Sequence, residues 1–165
     1  MLLRAWSSIH AAFPLARLNV VGGGEAKYLS DLRALSKQLG VEQSVTYAGR
    51  ASDSEKWEYL RSADVFAFPS VEEGFGIAVV EAMMLGIPCV TFDLPIFREL
   101  FPVGRLAAPI GDVAAFGRRL AALLEDRELR DRIGHAGLKL SELYTWDNAA
   151  AIDASAIDVA CAQPA

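Results

Sequence analysis

Short apolar runs alternate along the chain with longer segments whose apolar residues recur at helical spacing, and each run ends at a turn residue. The spacing predicts strands over residues 17–21, 44–48, 65–68, 88–92 and 105–107, all but the last rich in valine and aromatics. Helices are predicted over 25–39, 53–62, 77–85 and 112–124, with a further helical stretch over 128–143. At the N-terminus Leu2, Leu3, Trp6, Ile9 and Phe13 stand at helical spacing with Arg4 and His10 between them, an amphipathic helix. Asp53 and Asp112 are placed to cap helix starts, and Gly40 and Gly86 to stop helices as the residue after the cap. Strands alternating with helices imply right-handed crossovers and a parallel sheet covered on both faces. The expected fold class is therefore α/β, a Rossmann-like doubly wound parallel sheet. No internal repeat, low-complexity linker or Pro/Gly hinge divides the chain. One domain is expected over 1–149, followed by an alanine-rich C-terminal helix and frayed tail over 150–165.

Composition narrows the picture by exclusion. A chain of 165 residues, 53% of them hydrophobic, buries roughly 70% of its unfolded surface and needs no disulfide or metal staple. Cys89 and Cys161 form no CxxC and pair with no histidine, so no zinc site is expected, both thiols are expected to be inert, and a reducing compartment is the default. A net charge of −5 argues against a surface built mainly to grip nucleic acid, and no nucleic-acid partner is expected. The N-terminal segment lacks the continuous apolar region and cleavage site of a signal peptide, and no stretch reaches the about 20 apolar residues of a membrane span. A cytoplasmic location is expected.

The densest chemistry lies in FPSVEEGFGIAVVEAMMLGIPCV, from Phe68 to Val90, where a strand ends, a loop runs through Gly76 and a helix begins near Ile77. Ligands of open parallel sheets bind beyond the carboxyl ends of strands, and this loop is at such an end. Gly74 and Gly76 remove side-chain bulk on either side of Phe75, so backbone N–H groups there can approach a ligand closely, helped by the positive end of the helix. That suits phosphate or sugar hydroxyls. Glu73 in the loop and Glu81 about one turn into the helix can face the same crevice. A carboxylate accepts two hydrogen bonds at once, which matches the vicinal hydroxyls of a ribose or a pyranose. The alternative is that Glu73 is a solvated loop charge and Glu81 an exposed helix residue. Against it, Glu81 runs directly into AMMLGIPCV on a largely apolar helix, where an unpaired acid is costly.

EGFGIAVVE followed by AMMLGIPCV resembles the glutamate-x7-glutamate motif of the retaining glycosyltransferases of family 4. LNVVGGGE resembles the family's strand and glycine turn, VTYAGR its next strand, ADVFAFPS the strand before the motif, and APIGDVAAFGRRLAALLED with YTWDNAA its closing segment. The likeness covers about Arg4 to Ala149. It implies the C-terminal half of a GT-B architecture, the half that binds a nucleotide-activated sugar such as a UDP- or GDP-hexose. By resemblance Glu81 holds the ribose hydroxyls, Glu73 is the catalytic-site acid that contacts the transferred sugar, Gly74, Phe75 and Gly76 offer it backbone N–H groups, and Gly49 and Arg50 lie near the nucleobase. Family catalysis is metal-independent, with leaving-group charge stabilised by basic side chains and helix dipoles. No DxD triplet occurs in the sequence, in keeping with no metal or other cofactor.

The sequence also departs from the family. Family members place a first strand, then an Arg and a Lys that clamp the diphosphate, upstream of the helix that here starts at the N-terminus. Those residues and the N-terminal half that supplies the acceptor site are absent. The missing strand would lie between those beginning near Arg17 and Val65, so its loss is expected to leave a gap in hydrogen bonding. The resemblance thus implies a fragment, a split-gene product or a truncated frame. Its partners would be an N-terminal GT-B half, on the same or another polypeptide, and a sugar or lipid-linked acceptor, with peripheral placement at the inner membrane face as an extension. Rival readings are a non-catalytic nucleotide-sugar-binding or regulatory module, a GT-B epimerase and a phosphorylase, though the catalytic acids with His or the pyridoxal Lys those two enzymes need do not stand out.

Weaker features keep two readings each. Gly22-Gly23-Gly24-Glu25 is a phosphate cradle or a tight strand-to-helix turn, and Arg50 a phosphate contact or a solvated cation. Ser70 is a ligand contact or a turn residue, and Arg98 or Glu99 at the same sheet edge is a further donor contact. His10 and His135 read as structural or solvent-facing. Arg118, Arg119, Arg127, Arg130 and Arg132 are interleaved with Glu125, Asp126, Glu128 and Asp131, which favours a salt-bridged solvated face over a membrane-binding one. Trp146 reads as a core anchor for the last helix.

Overall fold

The computed structural model describes residues 1–162, with side chains described at 1–155, 157 and 158. The expectations of a frayed extreme tail and an inert Cys161 fall outside what is described there. The elements run α1 (Leu2–Ile9), β1 (Leu18–Val21), α2 (Ala26–Gln38), β2 (Val45–Gly49), α3 (Asp53–Arg61), β3 (Phe66–Phe68), α4 (Ile77–Met84), β4 (Cys89–Phe92), α5 (Pro95–Leu100), β5 (Arg105–Ala108), α6 (Val113–Glu125), α7 (Arg127–Ser141) and α8 (Trp146–Ala162). All five predicted strands form within a residue or so of their expected bounds, and every strand pair is parallel.

The strands make two ladders, β1-β2 and β3-β4-β5. β1 and β3 do not pair, which is where the sequence led us to expect a gap. One apolar cluster nevertheless spans both ladders, joining Leu18, Val20, Val45 and Tyr47 to Ala67, Val90, Phe92 and Leu106 beneath α1 and α6. The Trp6 indole donates to the buried Ser44 hydroxyl at 2.9 Å, tying α1 to the start of β2. A second cluster gathers α4, α5 and Leu60 of α3 against Phe66, Phe68 and Cys89. Side chains alternate across a strand, so Ala67 and Val90 face one cluster while Phe66, Phe68 and Cys89 face the other. All four residues of β4 are buried, as expected of a central strand covered on both faces. Helix α7 lies hard against the turn after α4: a Cβ on Gly134 would come within 2.0 Å of the Gly86 carbonyl oxygen.

Three expectations need correction. Helix α5 is absent from the predicted set, because six residues are too few for a period to show; its signal is Pro95 at the first turn, ahead of the buried Phe97. The cap of α3 is Ser52 rather than Asp53, in a capping box with Glu55, whose carboxylate accepts from the Ser52 N–H at 2.7 Å. Trp146 is not a core anchor: it is 91% exposed at the start of α8, whose described side chains are all exposed. The anchor is Tyr144, which donates to the Leu100 carbonyl at 2.5 Å and meets Phe75 and Phe101 edge-on. Asp112 caps α6 as expected, accepting from Ala115 N–H at 2.8 Å, and Gly40 and Gly86 take left-handed φ values of +69° and +70° after their helices.

Candidate functional site

The loop after β3 enters α4 through Gly76, held at φ +95°. A Cβ there would stand 2.7 Å from Phe97 Cε1, so both backbone and packing require glycine. Phe75, partly exposed, braces the loop by T-shaped contacts with Phe101 and Tyr144. Gly74 faces open space, with nothing within 4 Å of where a Cβ would be. Among the described residues no acceptor meets the backbone N–H groups of Gly74, Phe75, Gly76, Ile77 or Ala78. These five donors stand at the positive end of α4. Glu73, half-buried beside them, makes no hydrogen bond or ion pair among the described residues.

Glu81 stands in the second turn of α4 with its side chain 20% exposed. It is not unpaired. Lys56 of α3 donates to its Oε1 at 2.6 Å. The Lys56 ammonium also lies 5.2 Å from the Trp57 ring centroid and 3.7 Å from Asp53. The Glu81 hydrogen bond is the main cause of a lysine pKa above its ordinary 10.5. Because α3 follows β2 and α4 follows β3, this ion pair brings the carboxyl ends of the two ladders together. Sequence reading did not single out Lys56 for this role, since nothing local links it to a carboxylate on the next helix.

The other expected residues have varied commitments. Gly22 N–H donates to Gly49 O at 2.8 Å, and a Cβ on Gly23 would lie 3.4 Å from Arg50 Cβ, so the glycine turn and the Gly49-Arg50 turn form one corner. The Arg50 side chain is exposed. Ser70 donates to Glu72 O at 2.9 Å, holding the loop. Arg98 is engaged with Asp93 at 3.0 Å, and Asp93 also takes Arg105, whose side chain is 6% exposed and donates to Phe101 O and Thr91. His10 stacks on Trp6 and His135 is exposed. Arg127 pairs with Asp131, while Arg119 and Arg130 donate to backbone carbonyls. Burial pushes the Cys89 thiol up. A concavity of about 470 Å³ lies at the ends of β4 and β5, and one of about 280 Å³ between α3, the α4–β4 turn and α7. Neither is lined by Glu73 or Glu81; we place the candidate site at the loop from Glu73 into α4, where those N–H groups and the two acids lie.

The glycosyl transferases group 1 family profile matches residues 1–140. Phosphatidyl-myo-inositol mannosyltransferase of Mycobacterium leprae is 35% identical over 149 residues, which take in 88% of this chain and 38% of that protein. Sucrose-phosphate synthase from Thermosynechococcus elongatus has a similar fold, with a TM-score of 0.83 at 21% identity over 98% of this chain and 43% of that one. HepE of Anabaena, solved in complex with UDP and glucose, gives 0.78 at 21% identity over 97% and 44%. The chain thus has the fold of the C-terminal half of GT-B glycosyltransferases and spans about two fifths of the length of these proteins.

Proposed function

The chain belongs to the glycosyl transferases group 1 family, and from that premise we propose that it is the donor-binding half of a retaining hexosyltransferase, using a nucleotide-sugar. The observation that carries this reading is the run of five N–H donors at the start of α4 that find no acceptor among the described residues, flanked by Glu73, also without a partner there, and by Glu81. Such a run suits an oxygen-rich anionic ligand. In this reading the free oxygen of Glu81 accepts from the ribose hydroxyls, and Glu73 accepts from a hydroxyl of the transferred hexose. The N–H groups of Gly74, Phe75 and Gly76 hold the sugar and its phosphate, while Gly49 and Arg50 stand toward the base. As the anomeric carbon passes from the phosphate oxygen to an acceptor hydroxyl, whose proton is taken up by the departing diphosphate or by solvent, the negative charge that develops on the diphosphate is stabilised by the positive end of α4 without a metal ion.

The donor in this reading is a UDP- or GDP-hexose; its UDP form is supported by the UDP and glucose bound to the Anabaena protein of similar fold. An N-terminal GT-B half supplies the acceptor site, and the unpaired edges of β1 and β3 support a further strand between them. A sugar or lipid-linked acceptor belongs to this reading, the lipid option being supported by the phosphatidyl-myo-inositol in the M. leprae relative's name; placement at the inner face of a membrane is our extension of it. No described helix is long and apolar enough to cross a membrane.

Two substitutions test the assignment. Glu81→Ala weakens nucleotide binding by about 1.5 to 3 kcal/mol, the usual worth of hydrogen bonds to a charged group. Unchanged affinity in titration calorimetry removes the ribose role. Glu73→Ala lowers transfer, in an enzyme reconstituted with an N-terminal half, more than it lowers binding of bare nucleotide. Equal losses identify a misfolded loop instead.

A further inference from the structure

We propose that Lys56 is a positioning residue for Glu81, fixing one carboxylate oxygen and balancing its charge so that the other oxygen meets the ribose of an anionic nucleotide. The inference rests on the reading of Glu81 as the ribose contact. Three observations carry it. The contact joins two different helices at 2.6 Å, a charge-assisted length that sets the rotation of the Glu81 carboxylate. It uses only Oε1, and Oε2 has no partner among the described residues. Lys56 is itself held: the capping box of Ser52 and Glu55 fixes the turn of α3 that carries it, and its ammonium lies over Trp57, which packs against the second apolar cluster.

The electrostatics follow from this placement. A bare carboxylate on the floor of a nucleotide site repels a diphosphate that lies within the screening length, about 8 Å at physiological salt. Pairing with Lys56 removes that repulsion while leaving hydrogen-bond acceptors free on the same group. Lys56 acts in this account only through Glu81. A lysine that gripped phosphate directly would matter equally with or without that carboxylate.

A double-mutant cycle on the full 165-residue chain tests this, with UDP and GDP titrated calorimetrically into wild type, Lys56→Met, Lys56→Arg, Glu81→Gln and the double variant. Lys56→Met is expected to weaken the preferred nucleotide about tenfold, and Lys56→Arg to restore it to within about threefold. In the Glu81→Gln background, Lys56→Met is expected to change affinity by less than about twofold. Equal losses from Lys56→Met in both backgrounds overturn the inference, as does failure of Lys56→Arg to rescue a folded protein. Lys56→Met binding like wild type while Glu81→Gln loses affinity overturns the positioning role and leaves the donor reading intact. Nucleotide binding that is absent, or unaffected by Glu81→Gln, overturns both.

Discussion

Gly76 turns the chain into α4 at φ +95°, and a Cβ there would run into the rings of Phe97 and Phe101, so an alanine meets both a strained backbone and a ring edge. Gly76→Ala is expected to lower unfolding stability by about 1 to 3 kcal/mol in denaturant titration, and Gly74→Ala, which faces open space, by far less. Equal losses at the two positions would refute the packing argument. That Glu73, Gly74, Phe75 and Gly76 lie in the loop entering α4, with Glu81 in its second turn, could be read from the sequence because they form one contiguous segment. The role of Lys56 could not be, because its partner is on another helix and only tertiary packing brings them together. Trp146 was misread for the converse reason. Size and apolarity favour burial, but Tyr144 already occupies the position against Phe101 that an anchor would take.

At the scale of elements, the strands were readable because central strands in parallel sheets are near-continuous apolar runs, as the fully buried β4 illustrates. Short α5 escaped because a helix of under two turns has no period to detect. Helix α8 has a clear helical composition, yet its described side chains are exposed, so sequence pattern gave the element without its packing. A pair of substitutions separates these roles. Trp146→Ala is expected to leave the thermal midpoint nearly unchanged, within about 0.5 kcal/mol of wild-type stability. Tyr144→Phe, which deletes the hydrogen bond to Leu100, is expected to lose about 0.5 to 1.5 kcal/mol. The opposite ranking would restore Trp146 as the anchor.

For the whole molecule, the two parallel ladders share one apolar cluster but no hydrogen bonds between β1 and β3. The Lys56–Glu81 pair bridges their carboxyl ends, where the unpaired donors of α4 also stand. On our proposal this edge binds a nucleotide-sugar. A thermal melt of the 165-residue chain, alone and with UDP, GDP, ADP and their hexose conjugates, tests it most directly. A ligand that binds only the folded chain stabilises it by RT ln(1 + [L]/Kd). One nucleotide and its sugar conjugate are expected to raise the midpoint in step with concentration, while the others do not. A transition unmoved by every nucleotide and conjugate would contradict it.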